Sequence, residues 1–287
     1  MNLISTSLKS IVLISALNLN ACTSLLSSAT EDFGNNLSSA ILNHNDPKTV
    51  TAAIPAYLLM QEALIKQQPD NQGLLFSTST LYGSYAGLID KDKQRSKALS
   101  HKALDFGQQA ACLQKQDFCE LQQLPFDKFE NIIKQSEEDD LKSLYTLGTA
   151  WALWIQAHRS DMNAIAQLAQ VKAIMQQIVK LDEGYKQGAG HLYLAVLATL
   201  LPPALGGQPD IAQQHFQRAL ELSDNKNLMA KVLYAKHYAR MLFDRELHDK
   251  LLNQVVKAEA KQDDLTLINI AAKHQAQQLL KSANDYF

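Results

Sequence analysis

The chain has 287 residues, 46% apolar and 20% charged, which is enough for one large core or a series of small stacked ones. Its 27 basic and 29 acidic side chains leave a formal charge of −2. The signs are mixed throughout, so there is no basic stripe for phosphates and no acidic tail for cations, and nucleic acid is excluded as an expected partner. Glycine and proline are sparse while Ala, Leu, Gln and Lys are abundant, a composition that favours helix.

In chain order, Lys9 is the single positive side chain among the first ten residues. The apolar run Ile11-Val12-Leu13-Ile14-Ser15-Ala16-Leu17-Asn18-Leu19 then leads to Asn20-Ala21-Cys22. This is a signal-peptide layout. The run is about half of the ~20 residues that a bilayer-crossing helix needs, so no retained span is expected here or later. Leu19, Ala21 and Cys22 resemble the bacterial lipobox. Residues 1–21 are therefore expected to be a lipoprotein signal peptide whose removal leaves Cys22 as the lipidated first residue; ordinary secretion with Cys22 unmodified is the alternative. Thr23 stands where an Asp would retain the protein at the inner membrane of enteric bacteria, which points to the outer membrane. Acyl chains contribute about 0.8 kcal/mol per buried CH2, so several on one cysteine give durable attachment. Residues 22–50, rich in Ser and Asn, read as the lipidated N-terminus and a tether carrying one short helix near 37–43.

From residue 51 to 287 apolar residues recur at three- and four-residue spacings, broken by Pro, Gly, Asn or Asp clusters. The pattern predicts an all-α domain of about ten helices, near 52–67, 71–89, 95–114, 126–135, 138–158, 162–181, 184–200, 209–222, 227–242, 244–260 and 263–281. Short connections make neighbouring helices antiparallel hairpins. Several ends have local causes: Pro69-Asp70-Asn71 stops one helix and caps the next, Pro209 suits a first turn, and Asp263-Asp264 suit a positive helix end. The acids Glu137-Glu138-Asp139-Asp140 invite a calcium reading, but capping of the helix after them explains them without metal.

Ala212-x3-Phe216-x2-Ala219 has the spacing of the second half of a tetratricopeptide repeat, where small alanines let two helices approach closely. Tyr82, Tyr85, Ala86 and Ala98 follow the same logic earlier, and Gly148 with Trp151 begins a less regular copy. Hairpins of this kind bury their apolar faces only against one another, giving a tetratricopeptide-like solenoid with a concave side.

No HExxH, GxxxxGK[ST], GxSxG or CxxC is present, and Gly83-Ser84-Tyr85-Ala86-Gly87 has the wrong spacing for a nucleophile elbow. His237 shares a helix face with Tyr234 and Tyr238, and Asp182-Glu183 precede His191. Packing and capping account for both groups, so no catalytic residue, metal site or cofactor is expected. Cys112 and Cys119 would lie about 10 Å apart on one continuous helix, too far to bond. A disulfide requires the helix to end near 115–117, and buried free thiols are the alternative. Trp151 and Trp154 share a face with Leu147 and His158, either as core or as lining of an apolar channel.

Ile54-Pro55-x-Tyr57-Leu58-Leu59, Glu62-Ala63-Leu64, Pro69-x-Asn71-x2-Leu74-Leu75 and Tyr82-x2-Tyr85-Ala86 open a longer ordered series. Tyr145-x-Leu147-Gly148-x-Ala150-Trp151-x2-Trp154-Ile155 and Leu181-Asp182-Glu183-x-Tyr185-x2-Gly188-Ala189-x-His191 continue it. Leu201-Pro202-x3-Gly206-Gly207, Ala212-x3-Phe216-x2-Ala219-Leu220 and Tyr234-Ala235 follow, and Asp285-Tyr286-Phe287 ends it. In order and spacing the chain resembles the TRAP transporter T-component family, periplasmic lipoproteins on tetratricopeptide-like helices that work with tripartite ATP-independent periplasmic (TRAP) transporters. The resemblance implies a non-enzymatic accessory protein that binds the periplasmic solute-binding subunit, forms homo-oligomers, expected to be trimers, and carries a channel suited to apolar ligands. Trp151, Trp154, Tyr234 and Tyr238 are the candidate lining. The polar segment 112–135 and the extra Pro203 depart from the family pattern at what would be the partner-facing rim. Anchor and solenoid alone would also fit a scaffold lipoprotein for envelope assembly. An envelope hydrolase would need an accessible acid, for which Glu62 and Glu183 are candidates in name only.

Overall fold

The computed structural model describes residues 34, 36–89 and 92–287. The expected signal peptide, Cys22 and the first part of the tether lie outside the described residues, where every regular element is a helix. A short helix over 36–42 precedes α1 (Pro47–Gln67), α2 (Gln72–Leu88) and α3 (Lys93–Gln114). The side chains of Asp46, Asn71 and Asp92 accept the amides of Lys48, Leu74 and Arg95, satisfying donors that have no partner within the helix. Because Asp46 caps and Pro47 fits the first turn, α1 starts ahead of the expected 52 and takes in residues read as tether.

The polar segment after α3 is folded in. Two 3-10 turns, Gln116–Phe118 and Leu121–Gln123, lead to α4 (Phe126–Lys134), and together they bury Phe118, Leu121, Phe129 and Ile133. A 3-10 turn at Glu138–Asp140 then opens α5 (Leu141–Ala157). There the acidic run forms a capping box in which the Glu137 amide donates to Asp140. The single helix expected over 162–181 divides at Gln167 into α6 (Met162–Ala166) and α7 (Leu168–Leu181).

α8 (Tyr185–Ala198) carries left-handed φ angles at Lys186, Gln187 and Gly188, so its regular part begins only after them. α9 (Pro209–Leu222) and α10 (Leu228–Leu233) follow, and α10 runs into a π-helix at Tyr234–Ala239. The C-terminal part is α11 (Arg245–Lys257), α12 (Thr266–Lys281) and α13 (Ala283–Tyr286).

Contacts run in chain order: α2 on α3, α3 on α5, α5 on α7, α7 on α8, α8 on α9, then the π-helix on α11 and α11 on α12, with α2 also reaching α5. This is the stacked-hairpin order of a tetratricopeptide-like solenoid. Two large apolar cores and a small cluster of Ile65, Leu74, Leu75, Phe76 and Ala110 result, and α8 serves both large ones, Leu194 facing the first and its neighbour Ala195 the second. Ala212, Phe216 and Ala219 are all buried at the α9 packing seam, as their spacing predicts. At Gly148 an added Cβ would lie 2.8 Å from the Ile174 Cγ2 atom, so α5 and α7 touch almost backbone to side chain there.

The two ends of the stack meet. Asn43 donates to the Asp264 carboxylate (3.1 Å) and accepts the Asp264 amide (2.8 Å). Leu267 of α12 joins the same core as Val50 and Ile54 of α1. Asp264 thus links the termini of the fold, while the helix it was expected to open begins at Thr266.

Candidate functional site

The aromatic residues singled out in the sequence fall into different environments. Trp151 is wholly buried in the first core, edge-on to Phe129 at 5.9 Å, and its indole N–H donates to Gln167 Oε1 at 2.7 Å. Trp154, a turn later, is partly exposed and stacks on His158 at 4.7 Å. Tyr234 and Tyr238 are both buried in the second core, edge to face at 5.1 Å, with Tyr234 stacked on Phe216 at 4.8 Å. The tryptophans and the tyrosines therefore belong to separate cores. Cys112 and Cys119 are joined as a disulfide with Cα atoms 4.4 Å apart, which the end of α3 at Gln114 allows.

α5 and α8 also bring tyrosines together that sequence spacing could not pair. Tyr145 and Tyr185 meet edge to face at 5.5 Å, and Tyr193 lies close enough to Tyr145 to act on it electrostatically. All three are partly exposed, yet dense surroundings push the Tyr193 phenol up to about 12 and raise the other two. They stay neutral hydrogen-bonding groups at any physiological pH.

Among the described residues, a cleft of about 520 Å³ where the two chain ends meet is lined by His44, Lys261 and Ile270 among others, and a second, smaller one lies beside a histidine pair. It encloses about 200 Å³ between α7, α8, the loop before α9, and α9. Leu194, Leu197, Leu201 and Ile211 supply apolar wall; Lys172, Gln176, Gln208 and His215 supply polar atoms. The loop depends on Gly206, whose φ is +97°, and on Gly207, where a Cβ would collide with the Leu201 carbonyl.

Behind the cleft wall, His215 Nδ1 lies 2.8 Å from His191 Nδ1, and His191 Nε2 lies 3.6 Å from Glu183. Arg218 clasps Glu183 through two of its nitrogens and also reaches Glu221. Its hydrogen bonds hold the Glu183 carboxyl below its usual range, the opposite of what a general acid requires. Burial lowers both histidines, and Lys172 beside His215 lowers it further. Glu62 is likewise engaged, with the Tyr82 hydroxyl and Lys102.

His237, partly buried on the π-helix, has its imidazole pushed down to about 4, by burial first and then by Lys236. Its pKa is thus depressed on folding, and the unfolded chain takes up the proton first. This residue's contribution is present above about 6.5 and is lost as pH falls from there towards 4. After allowance for partial exposure, the loss is about 1–2 kcal/mol. Denaturant melts of the protein and of His237→Phe across that window should show a shallower acid slope for the variant; parallel slopes would count against this.

The model of the family described as TRAP transporter T-component matches residues 43–287. No curated protein matches the chain.

Proposed function

Since this chain belongs to the TRAP transporter T-component family, we propose that it is a non-enzymatic, lipid-anchored accessory subunit that holds the periplasmic solute-binding protein of its TRAP system near the membrane. The observation that carries the reading is the extent of the match, which begins at Asn43 and takes in every helix from α1 to α13. The protein is thus a component of a TRAP transport system, associated with the cell envelope.

Other features support the finer parts. No helix among the described residues is long and apolar enough to cross a membrane, so acyl chains on Cys22 would supply the attachment. The lipobox-like Leu19-x-Ala21-Cys22, followed by Thr23, favours the outer membrane. The Cys112–Cys119 disulfide suits an oxidising compartment such as the periplasm. A homotrimer is the expected assembly. Of the four candidate lining residues, the partly exposed Trp154 is the one that would wall a passage for an apolar ligand, since Trp151, Tyr234 and Tyr238 pack inside two separate cores.

The test is direct. The purified protein, immobilised, is expected to capture the TRAP solute-binding protein encoded by the same organism and not an unrelated periplasmic binding protein. If the two fail to associate by both capture and analytical ultracentrifugation, the reading falls. Loss of outer-membrane integrity on deletion, with solute uptake unchanged, would point to an envelope scaffold instead.

A further inference from the structure

We propose that the cleft between α7, α8 and α9 is a binding site for a small amphiphilic monocarboxylate, with its head group on Lys172 and His215 and its tail against Leu194, Leu197, Leu201 and Ile211. At about 200 Å³ the cleft is smaller than the roughly 300–1,000 Å³ of sites for drug-sized ligands, which suits a short alkyl tail. The site lies apart from Trp151, Trp154, Tyr234 and Tyr238 and does not depend on the transport reading.

The head-group end is defined by charge. Lys172, an exposed lysine, has no hydrogen-bond or ion-pair partner among the described residues, whereas Glu183, the acid nearest the histidine pair, is paired with Arg218, which it shares with Glu221. An exposed ammonium at the rim of an apolar cleft, with no anion of its own, can pair with a ligand that brings one, at the modest strength of a solvated ion pair. A single compensating charge favours a monoanion.

The histidine pair sets the second contact. Two Nδ1 atoms 2.8 Å apart can bond only if one carries the hydrogen and the other does not. Glu183, 3.6 Å from His191 Nε2, is beyond hydrogen-bond distance, but its charge favours the hydrogen there. His191 Nδ1 is then the acceptor and His215 Nδ1–H the donor, so His215 is left with a bare Nε2 for the cleft. A carboxylate arriving at that edge cannot bond to a lone pair. It binds with uptake of one proton at His215 Nε2, which then donates to the carboxylate oxygen, while Lys172 makes the ion pair. The groups that face His215 are Lys172 from α7, His191 from α8 with Glu183 before it, and Arg218 on its own helix. Lys172 and His191 oppose the added charge, so the ligand's own charge must supply what makes it favourable. Affinity therefore rises as pH falls.

Calorimetric titration of the purified protein with octanoate tests this, with octanol as tail without charge and acetate as charge without tail. Octanoate is expected to bind saturably, more tightly at pH 6 than at pH 8, with proton uptake seen as a dependence of the heat on buffer ionisation. Lys172→Met, on an exposed helix position, should weaken it by roughly three- to tenfold. His215→Phe should abolish the pH dependence, and octanol and acetate should bind far more weakly. Octanol binding as tightly as octanoate, or Lys172→Met binding octanoate as well as the original protein does, would overturn the proposal. Capture of the solute-binding protein is a separate readout, so either reading can fail alone.

Discussion

Trp151→Ala is expected to cost about 4 kcal/mol of folding stability, the usual range for removing a wholly buried large aromatic being 3–5 kcal/mol. The indole has no exposed surface, lies edge-on to Phe129, and ties α5 to the break at Gln167 through its N–H. Truncation leaves a cavity bounded by α4, α5 and α7 and strands the Gln167 carbonyl oxygen. A thermal melt should show the midpoint falling by roughly 10 °C, using about 2–4 °C per kcal/mol for a domain of this size. Trp154→Ala, at a partly exposed position, should fall by less than half as much. Equal effects at the two positions would mean that Trp151 is not the core anchor its burial indicates.

Opening the Cys112–Cys119 bond should cost about 2–3 kcal/mol, because a short closed loop removes that much chain entropy from the unfolded state. Between and just after the two cysteines, Phe118 and Leu121 are each only 2% exposed, and the bond holds them against the core. Reduction with dithiothreitol, and independently the Cys112→Ser/Cys119→Ser double variant, should lower the melting midpoint by roughly 5–10 °C. Increased proteolytic cutting confined to residues 115–125 would locate the effect. An unchanged midpoint in both experiments would refute it.

Much of the helical order is legible in the sequence because its causes are local. Asn71 caps the helix after it, the acids at 137–140 form a capping box, and Ala212, Phe216 and Ala219 recur at the spacing of a packing face. Boundaries moved where a second local cause competed with periodicity, as at Asp46-Pro47. The helix over 162–181 divides at Gln167, whose side chain answers to Trp151 across the fold, a contact that no window around 167 contains. The π-helix at Tyr234–Ala239 is a change in hydrogen-bond register, which side-chain pattern barely encodes.

The cleft was illegible for the same reason. Lys172 is an ordinary exposed lysine on α7, His191 lay beside acids that capping seemed to explain, and His215 sits within a repeat-like motif whose other residues are core. Only the packing of α7, α8 and α9 brings them together. Aromatic residues attracted attention in the sequence because they are conspicuous, and packing then divided them between two cores.

The reciprocal pair formed by Asn43 and Asp264 has a mechanical side. In an open stack of hairpins the terminal units fray first, and each needs a polar cap of its own. Here α1 touches α12 and Asn43 bonds to Asp264, so the two ends partly cap each other. A pull on the chain ahead of Asn43, as from an anchored N-terminus, would load the last hairpin as directly as the first, and the stack would resist peeling from its tethered end.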